Sequence, residues 1–535
     1  MNRPRVIMLG LDGFDQQFAE RLMTQGRLPA LRQMRERGAS LLLDHGSAKR
    51  TGLAWEHVST GLSPERAQRW AAIDFDARSY QVAQQPTRHP PFAAALGCRM
   101  VVFDPPYFDL QAAPSVQGLV AWGAHDPGVE RSARPAGLAA EIRERFGDYP
   151  AQPWIYGFVW PDEAKARTMA MDIVQAVEQR RRITTWLLSE RLPDWDLAYV
   201  VISEYHSANE SLWHGVDPGH PLASLPSATP ARVGLLGVYD AADRMLGELM
   251  ERFPDADIVA FNLHGMGTND SDVASMALLP ELMYRHHFGH SRLNTGPWPT
   301  LPNGVPVITG ERRWGEEVIA ALGKRALHGR ARSRLRGYLH GRTDAALPPA
   351  ALSLEWMPAT RYRHDWPLMR AFALPAYYDG RVRINLRGRE SAGRVPLAAY
   401  GAVCDEVSQL LRESRNVLTG EPVVKDIVPA DRPAMPLGPS DADLIVLWNG
   451  SPLGFEHPRL GRIGPLPYHR TGGHSGPAGA AYFRGPHIRA GRFAERSAFD
   501  VLPTVLRMLD EPSAAQVSGR VIEPLLAPSD AALPA

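Results

Sequence analysis

Acidic and imidazole side chains recur in this sequence just after short apolar runs. Asp12 and Asp15 stand in GLDGFD, and Glu204, His206, Glu210, His214, Asp217 and His220 in SEYHSANESLWHGVDPGHP. His264 stands in LHGMGTND, and His469 and His474 in the glycine-rich PYHRTGGHSGPAG. Singly, a histidine beside a glycine turn is ordinary structural material. Carboxylates and imidazoles that follow three runs and fill a fourth loop are the donor chemistry of Zn²⁺, Mn²⁺ or a similar cation. A hydroxyl is the other reactive group. Thr51 sits in KRTGLAWEHVSTG, residues 49–61, where its oxygen suits the N-cap of a short helix at 53–58. That role needs no chemistry, and an attacking role needs partners from elsewhere in the chain.

Such residues converge only if a scaffold brings the ends of the runs together. Aliphatic and β-branched stretches at 5–11, 100–104, 197–203, 258–263 and 444–448 predict buried parallel strands, with a later strand at 480–483. Helical periodicity covers 17–25, 30–37, 164–190, 231–251 and 397–415, with the arginines at 180–182 as a solvated patch. Strands alternating with helices predict an α/β fold: a mainly parallel sheet with helices on both faces. Ligands of such sheets bind beyond the carboxyl ends of the strands, where the acidic and histidine residues fall. Residues 284–393 break the pattern, being rich in Arg, His and Pro with Trp298, Trp314, Trp356 and Trp366 scattered through them. The expected organisation is an α/β core at 1–283, an irregular insertion or lid at 284–393, the rest of the core at 394–528 and a frayed tail at 529–535.

Composition sets bounds. A 535-residue chain with 44% hydrophobic and 22% charged residues is globular, with one large domain carrying insertions or two domains. Lys+Arg 59 against Asp+Glu 58 gives no basis for binding a nucleic acid polymer or an anionic membrane. The first apolar run is too short for a signal peptide and no run is long enough for a membrane span, so a cytoplasmic protein is expected. Cys98 and Cys404 exclude a disulfide framework and a cysteine zinc cluster.

The order of segments then becomes informative. GLDGFD, LPALRQMRERGA, TGLAW…STG, the loop ending in DPGHP, HGMG, and GGHSGPAG followed by FDVLPTVLRML together resemble the alkaline phosphatase superfamily. Within it, the pattern is most similar to the type I phosphodiesterase/nucleotide pyrophosphatase group, and the resemblance spans nearly the whole chain. It implies a hydrolase of phosphodiesters or phosphomonoesters that holds one or two divalent ions, Zn²⁺ first and Mn²⁺ or Ca²⁺ as alternatives. It also implies attack by a threonine. Carried over by position, Thr51 is the nucleophile, and Asp12, Thr51, His206, Glu210, His264 and His474 are the metal ligands. Two departures stand out. Leu263 replaces an expected Asp beside His264, and His206 and Glu210 invert an expected Asp/His pair while keeping both on one helical face. Asp15 or Asp270 is a candidate replacement for the missing carboxylate. Glu204 either orients His206 or is a strand-end charge.

A small-molecule, glycan or lipid phosphoester is the expected substrate. The rival of a different class is a degenerate binding protein that keeps the fold without turnover, for which Leu263 and the His206/Glu210 exchange speak. A sulfate-ester hydrolase ranks lower, because CRMVV at Cys98 and CDEVS at Cys404 lack the C/S-x-P-x-R context that such chemistry needs.

Overall fold

The structure, a computed structural model, describes residues 3–294, 296, 298–323, 352–430, 432–511 and 516–527. The expected frayed tail and the middle of the expected insertion lie outside the described residues. Among the described residues no helix is long and apolar enough to cross a membrane.

The expected α/β architecture is present. The strands used below are, in chain order, β1 (Arg5–Leu11), β2 (Ala39–Asp44), β3 (Met100–Phe103), β4 (Gln117–Val120), β5 (Ser132–Arg134), β6 (Leu197–Ile202), β7 (Ala256–Asn262), β8 (Ala371–Leu374), β9 (Gly380–Ile384), β10 (Val424–Pro429), β11 (Leu444–Trp448), β12 (Gly479–Arg484), β13 (Gly491–Arg492) and β14 (Arg496–Ser497). A ten-stranded sheet runs in the order β13–β2–β12–β7–β1–β6–β3–β4–β5, with β14 also paired to β2. At its centre, β7, β1, β6, β3 and β4 are parallel. Successive residues of β1 face opposite sides, so Ile7, Leu9 and Leu11 enter one apolar cluster and Val6 and Met8 the other. Helices α1 (Gln16–Thr24), α2 (Pro29–Arg37), α4 (Glu163–Trp186), α5 (Glu204–Leu212) and α6 (Ala228–Arg252) cover the first face. Helices α3 (Ala54–Thr60) and α7 (Val501–Met508) cover the second.

Two strands differ from expectation. The run at 480–483 joins the main sheet, but antiparallel to both β2 and β7. The run at 444–448 belongs to a separate four-stranded antiparallel sheet, β8–β9–β11–β10. An apolar run reports burial on both faces and carries no sign of strand direction. The second sheet, whose strands lie on both sides of residue 393, has its own core around Phe372, Val382, Val446 and Trp366.

The arginines at 180–182 require a correction. Arg180 is fully buried, with Nε 2.8 Å from Glu204 Oε2 and Nη2 2.9 Å from Asp104 Oδ2. Glu204 is thus a charge just past the strand end that gives its carboxylate to Arg180 rather than to His206. Asp104 in turn accepts from the backbone N–H of Trp122 at 2.7 Å and of Gly123 at 2.8 Å. One guanidinium thus ties the start of α5 to the loop that follows β4.

Candidate metal centre and nucleophile

The carboxyl ends of β1, β4, β6 and β7 open onto one cavity, whose lining includes Asp12, Asp126, His206, His264 and His474. Asp12 follows β1, His206 and Glu210 are on α5 directly after β6, and His264 follows β7. Gly13 makes the approach of two of these loops feasible. Its φ is +78°, and a Cβ there would lie 2.4 Å from the His206 Cα. The GLDG turn therefore passes flush against the first turn of α5, which places Asp12 Oδ1 3.1 Å from His206 Nδ1.

His206 is the hub. Its Nε2 lies 3.2 Å from Glu210 Oε1 and 3.0 Å from His474 Nε2. His474 uses its other nitrogen, Nδ1, toward His264 Nε2 at 2.8 Å. His125, which the sequence reading did not single out, stacks on the His206 ring at 3.7 Å and puts Nε2 2.9 Å from Glu210 Oε2. His125, His206 and Glu210 each offer a ligand atom, and all three atoms lie within 4.8 Å of one another. Two imidazole nitrogens and a carboxylate with a third imidazole alongside match the donor set of a catalytic zinc site. Asp12, by receiving the His206 Nδ1–H, sets the tautomer that turns Nε2 toward these donors.

The charges are arranged around one proton. Burial opposes a charged His206, but Asp12 and Glu210 outweigh it and hold the imidazole at about 10. Burial likewise opposes the Glu210 carboxylate, yet Arg470, His125 and His206 keep it well below the usual range. Burial, then His206 and His264, keeps His474 neutral. Arg470 is itself buried, pairs with Glu210 Oε1, and places Nε 2.7 Å from Asp272 Oδ2. An ion at this centre must replace the His206 Nε2 proton and share Glu210 with Arg470.

The other residues of the expected ligand set are placed differently. Asp12 is engaged by His206 and His264 by His474, while Leu263 is buried beside them in the cavity wall. Asp15 caps α1, accepting from Phe18 N–H at 2.7 Å and from Met266 N–H at 3.1 Å, so it does not stand in for the missing carboxylate. Burial raises Asp270 to about 6. His214 and His220 shape the intervening loop through Ser227 Oγ and the Thr471 carbonyl, both at 3.0 Å. His469 and Arg470 converge on Asp272.

Thr51 ends a short 3-10 turn, Gly46–Thr51, before α3. Its Oγ1 donates to the Ala48 carbonyl at 2.8 Å and accepts from Leu53 N–H at 3.0 Å. Thr51 is not the N-cap expected of it: the helix begins at Ala54 with Leu53 at its N-cap and no side-chain capping bond, and the Thr51 hydroxyl closes a local turn on Leu53 instead. Gly52, next in sequence, lines the same cavity as His206 and His474.

No known family pattern and no curated protein matches the chain. Among solved structures, it is similar to a mutant of the alkaline phosphatase PafA, with 11% identity, TM-score 0.50, and 98% of this chain and 100% of that one covered. It is also similar to the murine ectonucleotide pyrophosphatase/phosphodiesterase 5 (9% identity, TM-score 0.41, 98% of this chain and 100% of that one). A third similar structure is phosphonoacetate hydrolase from Sinorhizobium meliloti 1021 in complex with phosphonoformate (12% identity, TM-score 0.43, 97% of each chain). The match to the alkaline phosphatase reaches across both sheets at an identity that speaks for architecture alone. The chain shares the fold of the alkaline phosphatase PafA.

Proposed function

We propose that this protein is a metal-dependent phosphoester hydrolase that attacks phosphodiesters or phosphomonoesters with the Thr51 hydroxyl. The observation that carries the reading is the convergence of His125, His206 and Glu210 with His474 alongside, next to a cavity that His206 and His474 line together with Gly52, the residue just after Thr51. A divalent ion held there, with Zn²⁺ the best match to the donors, supplies positive charge to a phosphoryl oxygen. Asp12 holds His206 in the ligating tautomer, Arg470 limits the charge on Glu210, and Gly52, with φ +69°, lets the Thr51 turn pass the Tyr378 ring. Leu263, and the engagement of Asp12 and His264 by other histidines, favour one ion over two.

Elemental analysis of the purified protein, with turnover of p-nitrophenyl and bis-p-nitrophenyl phosphate, tests this. One ion per chain with turnover of either ester is expected, and His474→Ala or His125→Ala should lower metal affinity by about 10- to 100-fold. A metal content unaltered in both variants rejects the assigned centre. A bound ion without turnover of any phosphoester favours the non-catalytic binding protein.

Two further outcomes follow from the geometry. Because an ion would displace protons from His206 and His125, both of which the neighbouring carboxylates push toward the charged form, metal affinity should rise with pH by at least about tenfold per unit between pH 6 and 8. Competition with a chelator of known affinity measures it, and a flat profile contradicts a proton on His206. Leu263→Asp should create a second carboxylate beside His264 and raise the stoichiometry toward two ions. An unchanged stoichiometry in a folded variant means that the centre is built for one.

A further inference from the structure

A second cleft shares no lining residue with the substrate cavity. It lies between the stretch 158–160, the stretch 306–314 and the loop 467–469. Its His469 shares Asp272 with Arg470, which pairs with Glu210, so a layer of side chains separates the cleft from the metal centre. Its walls are flat rings: Phe158, Trp160, Trp314 and Tyr468. Trp314 is fixed in place, being buried and donating Nε1–H to the Pro467 carbonyl at 2.8 Å. The His469 ring packs against it, with centroids 4.8 Å apart. Walls of this kind favour a flat aromatic guest, which they meet by offset stacking or edge to face.

The polar groups around these walls are short of partners. Trp160 Nε1 is buried and has no hydrogen-bond partner. His469, also buried, gives Nδ1 to Asp272 at 2.8 Å, and its Nε2 has no partner among the described residues. Arg312 and Arg313 line the cleft, and none of the lining residues is acidic. The nearby carboxylates are engaged elsewhere. Glu311 Oε2 holds Lys165 Nζ at 2.7 Å, and Glu316 Oε2 accepts the Arg313 backbone N–H at 3.0 Å. Glu317 Oε1 stands 3.9 Å from Arg312 Nη1, too far for a hydrogen bond. Arg313 lays its guanidinium over the Phe158 ring, with Cζ 5.0 Å from the centroid. A guanidinium stacked on a ring still presents its N–H edge, the fork that matches carboxylate or phosphoryl oxygens.

We propose that this cleft binds a small ligand built from a flat aromatic unit that carries an oxyanion, either a carboxylate or a phosphoryl group. The ring enters between Phe158, Trp160 and Trp314, and the oxyanion meets Arg312 and Arg313. An acceptor on the ligand takes the Trp160 N–H. With Nδ1–H given to Asp272, His469 Nε2 carries a lone pair and takes a donor from the ring. Neither an aliphatic anion nor a neutral ring satisfies both halves. The first leaves the aromatic walls without a stacking partner, and the second leaves the guanidinium groups without an anion. The site stands independently of the hydrolase assignment, because it uses neither Thr51 nor any residue of the metal centre.

The test is calorimetric titration of the purified protein with 1-naphthoate and with phenylphosphonate, whose C–P bond resists hydrolysis. Cyclohexanecarboxylate supplies the anion without the aromatic ring, and 1-naphthamide the ring without the charge. At least one aromatic anion should bind, with both controls weaker by about tenfold or more. Tighter binding of naphthoate identifies carboxylates as the class, and tighter binding of phenylphosphonate identifies phosphoryl compounds. Replacing both arginines, Arg312→Gln with Arg313→Gln, should weaken the aromatic anion by about tenfold or more. Both side chains are exposed, so the double variant changes charge without disturbing the core. Trp160→Phe, which keeps a ring and removes the N–H, should weaken it by about threefold. Aromatic anions that keep wild-type affinity in the double arginine variant bind elsewhere and overturn the proposal. So does a wild type that binds neither of them at millimolar concentration, or that binds cyclohexanecarboxylate equally well. All of these results leave the hydrolase assignment untouched.

Discussion

Thr51→Ala is expected to lower phosphoester turnover by on the order of 10³-fold or more while the protein remains folded, because a covalent step loses its attacking atom. The same substitution removes two local hydrogen bonds, one to the Ala48 carbonyl and one from Leu53 N–H, which together cost about 1–2 kcal/mol of stability. Thr51→Ser separates the two effects. It keeps the oxygen, so measurable turnover and a near-normal melting midpoint should both survive. Steady-state assays and melting curves on the two variants decide the matter. An alanine variant that turns over at close to the wild-type rate would leave Thr51 as a turn residue and nothing more.

The largest stability effect is expected at Arg180. Arg180→Met deletes a fully buried guanidinium and strands the carboxylates of Glu204 and Asp104 with no exposed surface on any of the three side chains. Breaking a buried ion pair from one side costs about 3–5 kcal/mol. Arg180→Lys should fall between wild type and Met, since one ammonium cannot reproduce the forked contacts to both partners. The damage should reach the metal centre too. Glu204 opens the helix that carries His206 and Glu210, and Asp104 holds the Trp122 and Gly123 amides just ahead of His125. A melting midpoint unchanged in Arg180→Met would show that the network contributes nothing to the fold.

Much of this scaffold was legible in the residues, for physical reasons that also explain the failures. The strands that carry Asp12, His206 and His264 are buried on both faces, so each is a continuous apolar run that ends in its polar loop. His125 was missed because β4 is only four residues long and begins with an exposed Gln117, leaving too little apolar pattern to mark the loop that follows. The rule that worked for β1, β6 and β7 would have found it had that strand been recognised. Arg180 was misread because three consecutive arginines imply solvent, whereas a helix sends adjacent residues to different sides: Arg180 points into the core and Arg181 to surface partners. The antiparallel course of the runs at 444–448 and 480–483 was not legible, since pairing direction is set by partners far away in sequence. Neither the contact of Asp12 with His206 nor that of His264 with His474 left a trace in local spacing.

Strand β2 touches the rest of the large sheet through one neighbour, β12, and its other partners, β13 and β14, are later still in the chain. The ribosome therefore delivers β2, and the Thr51 turn that follows it, more than four hundred residues before the strand that fastens them to β7. His474 arrives with that same late segment. A nascent chain can complete β1, β6 and β7 while β2 still lacks its pairing partner in the sheet. Synthesis thus imposes its own timing on the cluster. His474 meets His206 and His264 only after nearly the whole polypeptide has emerged, and until then the uncovered edge of β7 is an unpaired sheet edge of the kind that invites aggregation.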